Sequence, residues 1–163
     1  VEFDVYDSDF PSCYSWGKAV AMVRDRRRPC LGEGMFRYYT SVEDFDRKIA
    51  TCKKALRIAK RIKSLDLVHE TNVVLSYVNL ANSIYQVAEQ VSTADLSDLK
   101  NQKRLREFLK DLERAGVENV AAIRAWRSAL GPEPWHYRVH DAMKATETTV
   151  QEICRFISER YFY

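Results

Sequence analysis

The chain has 163 residues, 46% hydrophobic and 30% charged, enough to bury an ordinary core and too apolar for a disordered tail or a collagen. Its 26 Lys and Arg against 23 Asp and Glu leave a formal charge of +3, too near balance for a strongly basic nucleic-acid binder. Five Gly and four Pro provide few turns, which favours long helices over a many-stranded sheet or a glycine-rich nucleotide fold.

Val1, Phe3 and Val5 alternate with acids ahead of Pro11, so the chain is expected to open with a short extended arm. Residues 1–13 hold four acids and no base, whereas residues 14–66 hold fourteen bases against six acids. An acidic arm followed by a basic third of the chain invites intramolecular pairing or competition for one basic surface. The first residue is Val rather than Met, as in a processed protein, a polyprotein product or a piece of something longer, and no apolar signal segment is legible. No run of about 18 apolar residues occurs, so no transmembrane segment is expected.

A short helix is expected from Trp16 to Arg28, with Ala19, Val20 and Val23 apolar, ended by Pro29 because the residue before proline avoids the α region. Leu31 to Tyr39 reads as loop. Ser41 is the expected N-cap of the first long helix, with Glu43, Asp44 and Asp46 in the turn where the helix dipole favours negative charge. Its apolar stripe is Phe45, Ile49, Cys52, Leu56 and Ala59, flanked by Ala55, Ile58 and Ile62. The opposite arc carries Lys53, Lys54, Arg57, Lys60 and Arg61, with no acid beyond the first turn.

The next helix, Leu67 to Val91, lines one face with Val74, Tyr77, Val78, Ala81, Ile84, Tyr85, Ala88 and Val91. Its other face bears Asn72, Ser76, Asn79, Asn82, Ser83 and Gln86, and no charged side chain lies between Thr71 and Ala88. Solvated helix faces normally recruit Lys and Glu, so this one is expected to be covered, by the chain's own N-terminal segment first and by a partner otherwise. Leu99, Leu105, Phe108, Leu109 and Leu112 mark another helix, which Gly116 and Val117 should close with a left-handed cap. A shorter helix through Val120, Ile123, Trp126 and Leu130 should end at Gly131-Pro-Glu-Pro134. The last helix carries Trp135, Val139, Met143, Thr146, Val150, Ile153, Ile157 and Tyr161 on one arc, and its aromatic end should cap the core. The expected fold is all-α: four main amphipathic helices in a bundle, an extended N-terminal arm and one or two short extra helices. Residues 1–163 should form one domain, with 1–40 packed on the bundle.

Candidate chemistry is sparse. His136 and His140 stand four apart, a spacing that can aim two imidazoles at one metal, but Cys154 lies about 21 Å beyond along the helix and Trp135 and Val139 suit a structural histidine. No metal or cofactor is expected. HEPN ribonucleases place an Arg and a His several residues apart on a late helix; Arg138 and His140 resemble that pair in residue type at a shorter spacing, and Arg127 to His136 crosses the proline break. Cys52 and Cys154 fall on or beside apolar stripes, as inert thiols or a disulfide. Cys13 and Cys30 bracket the short helix, and their pairing would close a loop worth about 3 kcal/mol in the chain-entropy model. The connectivity 13–30 with 52–154 is one of three. Ala59-Lys60-Arg61-Ile62-Lys63-Ser64 alternates basic and non-basic residues in the form associated with sulfated polysaccharides, so glycosaminoglycan, RNA or an anionic membrane surface could meet the basic arc.

The expected function is that of a non-enzymatic interaction protein. It would recognise a protein partner or receptor through Asn72, Asn79, Asn82 and Gln86, or through Lys53, Lys54, Arg57, Lys60 and Arg61. In size, helix number and candidate disulfides the chain resembles a helical cytokine or another secreted effector, which implies an extracellular location. The alternative is a cytoplasmic or viral nucleic-acid-associated bundle, such as a HEPN-like ribonuclease, with four reduced thiols.

Overall fold

The apolar periodicity resolves into five α-helices in the computed structural model, which describes residues 13–130 and 136–162, with side chains for residues 18–129 and 141–162. These are α1 (Cys13–Arg24), α2 (Glu43–Arg61), α3 (Leu65–Thr93), α4 (Leu99–Leu130) and α5 (His136–Tyr161), with a 3-10 turn at Gly34–Phe36. No strand occurs among the described residues. The all-α expectation therefore stands, and the helix count changes. The arm before Pro11 and the break at 131–135 lie outside the described residues. Central to the bundle is α3, which packs against α1, α2 and α4, while α5 packs against α4 and α1. α2 has α3 as its one substantial neighbour and forms an edge of the molecule.

Helix ends follow local chemistry, with three departures from expectation. α1 stops four residues before the expected Arg28, because Arg26 takes a left-handed conformation (φ 54°) and the amides of Arg26 and Arg27 bond back to Val23 O and Met22 O. The Arg26 Nε then donates to Val91 O at 3.0 Å, fixing this corner on the end of α3. α2 ends in the same way: Lys63 has φ 56°, and Lys63 N and Ser64 N reach Lys60 O and Ala59 O. Both are Schellman closures with a basic residue where glycine is usual, next to helix C-termini whose dipoles favour positive charge.

Ser41 is not the cap of α2: the N-cap is Val42, which makes no side-chain cap bond, and Asp44 in the first turn reaches back to the chain ahead of the helix. Asp44 Oδ2 accepts from Thr40 N at 2.6 Å, Thr40 Oγ1 at 2.7 Å and Ser41 N at 3.1 Å, and its Oδ1 pairs with Arg47. Hydrogen bonds from the Thr40 backbone and hydroxyl hold the Asp44 carboxyl down to about 2. Ser64 Oγ caps α3 by accepting from Leu67 N at 3.4 Å, and Asp98 caps α4 by accepting from Lys100 N at 2.9 Å.

Gly116 does not end a helix. α4 runs through it for 32 residues, and a Cβ at this position would stand 2.9 Å from Val150 Cγ2 of α5. The glycine is used for close approach of two helices, so the two segments expected on either side of it are one. The loop after α1 also does more than connect. Met35, Phe36 and Tyr39 are buried, and Phe36, Tyr39, Phe45 and Tyr85 form an aromatic cluster in which Tyr39 stacks on Phe45 at 4.1 Å. Such pairs add about 0.5–1.5 kcal/mol beyond area burial, enough to bind the loop to α2 and α3.

The core falls into a large cluster and a small one. The first gathers side chains from α1, the loop and the upper parts of α3, α4 and α5, including Leu80, Leu105, Leu112, Ile153 and Ile157; the second is Val73, Val120, Ile123, Ala142 and Met143. Asn119, only 1% exposed, stands between them. Its Nδ2 donates to Ser76 Oγ at 3.1 Å and its Oδ1 accepts from Thr146 Oγ1 at 2.9 Å, so one amide joins α3, α4 and α5. A one-residue slide of any of these helices would leave buried polar groups unbonded, and the layer thereby sets the register of the three helices.

Candidate functional site

Two surfaces collect the residues singled out in the sequence. The first is a cleft of about 370 Å³ between α3 and α4, with Asn79, Asn82, Ser83 and Gln86 on one wall and Asp111, Arg114, Ala115 and Glu118 on the other. The uncharged face of α3 is thus turned towards α4; residues 1–12 of the N-terminal segment expected to cover it lie outside the described residues. Ser76 is wholly taken into the Asn119 layer, and half-buried Asn72 lies outside the cleft lining. On the far wall Arg114 pairs with Asp111 at 2.7 Å. Among the described residues no hydrogen bond occupies the side chains of Asn79, Asn82, Ser83 or Gln86, although Ser83 is only 9% exposed. A row of amide donors and acceptors is left open in a concave polar site.

The second surface is the back of α2. Lys53, Lys54, Arg57, Lys60 and Arg61 are all exposed, and among the described residues none of them makes an ion pair. Ile58 and Ile62, expected on the flank of the buried stripe, are 47% and 58% exposed. The reason is that α2 has a single main neighbour, so only the narrow arc of Phe45, Cys52 and Ala59 is covered. Leu65, at the corner into α3, is 71% exposed.

Cys30, Cys52 and Cys154 are not in disulfides. This corrects the expected 52–154 bridge: Cys52 is on α2, against α3, and Cys154 is on α5, against α4 and α1. The 13–30 bridge is likewise not formed at Cys30; the Cys13 side chain lies outside the described residues. Burial, with Glu113 nearby, pushes the Cys154 thiol up to about 12, the reverse of what a nucleophile needs. The side chains of His136, Arg138 and His140 also lie outside the described residues. Among the described residues, no cluster of three or more His, Cys, Asp or Glu side chains could hold a metal ion, and no helix is long and apolar enough to cross a membrane. No protein-family model, curated protein or solved structure matches the chain.

The sequence singled out both surfaces but missed Asn119. Leu105, Leu112 and Asn119 follow at seven-residue steps, and a lone amide in the line of an apolar stripe was the available signal.

Proposed function

We propose that the chain is a non-enzymatic helical interaction protein acting by protein–protein recognition, and that the α3–α4 cleft takes an extended segment of its partner. The observation that carries this is the open amide row of Asn79, Asn82 and Gln86 with the Ser83 hydroxyl among them. A carboxamide offers a donor and an acceptor together, as a peptide group does. From Asn79 to Gln86 the helix rises about 10.5 Å, close to three residues of extended chain at about 3.3 Å each. The α3 wall carries no charge between Thr71 and Ala88, and on the α4 wall Arg114 is paired with Asp111, leaving Glu118 as the lining charge without an ion pair among the described residues, which suits backbone recognition better than recognition of an acidic ligand.

A secreted, cytokine-like ligand is one form of this function and rests on helical architecture alone. Thiols at Cys30, Cys52 and Cys154 support the other form, an interaction protein of a reducing compartment.

The test is a titration of isotope-labelled protein with a pool of blocked, uncharged octapeptides, read on the side-chain amide signals of the α3 face. Saturable shifts at Asn79, Asn82 and Gln86 that disappear in a folded Asn79→Arg variant are expected. Signals that stay in place, or shifts that survive the substitution, overturn the proposal.

A further inference from the structure

A helix that packs on one neighbour must show its far side to something, and the far side of α2 combines two chemistries. At 100° per residue Lys54, Arg57, Ile58 and Arg61 share an arc of about 100°, opposite Phe45, Cys52 and Ala59, and Arg47 on the same arc is paired with Asp44. Ile62 lies at its edge, and Leu65 follows across the turn. No acid occurs on α2 after Asp46. Exposed cations alone would be a solvated face. Exposed branched aliphatics set among them, each large and about half or more open to water, are not what a solvated face recruits.

From this arrangement we infer that the back of α2 docks the protein on the surface of an anionic lipid bilayer. Charge complementarity and shape select this occupant. A nucleic acid or sulfated polysaccharide would engage the cations and leave Ile58, Ile62 and Leu65 in water. An acidic protein helix needs an apolar seam several turns long to pack against, and on this face the large aliphatics Ile58 and Ile62 span a single turn. A bilayer accepts both chemistries at once: the Lys and Arg heads reach the phosphates while their stems and the isoleucines enter the boundary of the acyl chains. From Lys54 to Ile62 the contact is about 12 Å long and lies in the membrane plane. The turn at Lys63 is closed by two backbone bonds, and Leu65, just beyond it, is exposed.

The experiment is co-sedimentation of the full chain with vesicles containing about 30% phosphatidylserine, and with vesicles of phosphatidylcholine alone, at about 0.1 M salt. Binding to the first and not the second is expected. Lys54→Gln, Arg57→Gln and Arg61→Gln together should lower the partition coefficient about a hundredfold, at about fivefold per charge. Ile58→Ser and Ile62→Ser should each lower it about fivefold while leaving its salt dependence unchanged. All five positions are exposed, so the variants should melt as the parent does. Equal binding to both vesicle types overturns the inference. So does wild-type binding by the two serine variants, and the face is then a polyelectrolyte site if a single-stranded RNA oligomer binds it with the same loss on charge removal.

Discussion

Adding one methyl group at Gly116 should destabilise the protein, although the substitution improves the helix. Alanine in place of an interior helical glycine is worth about 1 kcal/mol in propensity. Against this, the new Cβ would lie 2.9 Å from Val150 Cγ2 and 3.5 Å from both Cβ and Cγ1, where carbon pairs prefer about 3.5–4.0 Å. Val150 is buried and β-branched, with one strongly preferred rotamer in a helix, so it cannot turn away cheaply. Either α4 and α5 separate by several tenths of an ångström or Val150 leaves its rotamer, and such overpacking costs about 1–3 kcal/mol. The net expectation is a loss of about 1 kcal/mol, or about 2–4 °C in melting temperature for a chain of this size. Urea denaturation followed by helical circular dichroism measures it. In a Val150→Ala background the same Gly116→Ala change should stabilise by about 1 kcal/mol, giving a coupling energy of about 2 kcal/mol. A single Gly116→Ala variant that is more stable than the parent by the full propensity gain would refute close approach as the role of this glycine.

Asn119→Ala should cost about 2–4 kcal/mol in the same assay, because it opens a cavity and strips hydrogen bonds from Ser76 and Thr146; a loss below about 0.5 kcal/mol would remove the case for a register-setting layer. Asp44→Asn should lower the melting temperature at neutral pH. The carboxyl titrates lower in the folded chain than in the unfolded one, so its stabilisation is present above about pH 4 and fades as pH falls towards about 2. The gap between parent and variant should close across that interval, and a gap that persists at pH 2 contradicts the role given to the bonds from Thr40 and Ser41. In native protein an alkylating reagent should modify exposed Cys30 rapidly and Cys154 slowly, since burial keeps the Cys154 thiol protonated; mass spectrometry of timed samples reads the order, and a bridged Cys52–Cys154 peptide would contradict the separation of these two thiols on α2 and α5.

Local signals carried most of the secondary structure. The stripes of α2, α3 and α5 recur at i, i+3 and i+4, and each helix expresses that spacing whatever it packs against. The acids before Phe45 marked the start of α2, although Val42 rather than Ser41 is the N-cap and Asp44 bonds back to Thr40 and Ser41, a choice made by the path of the chain through Thr40. Gly116 was legible as special and its use was not, because a left-handed cap and a close helix approach both call for glycine. Ile58 and Ile62 look like core in the sequence, since the periodicity of a helix says which residues share a face and nothing about how wide a neighbour covers it. The two candidate surfaces show the same division: the amide row of α3 and the basic arc of α2 stand out in composition, while the cleft with α4 and the open back of α2 do not.

The sequence by itself determined the all-helical class, the approximate limits of the helices other than α4, and the segregation of charge behind a total of +3. These follow from spacing and composition along a few turns. Only the tertiary structure decided that Cys52 and Cys154 stay apart, that Asn119 joins three helices and that the isoleucines of α2 face outward. Each of those depends on contacts between residues distant in the chain, and a helical period contains no information about its partner.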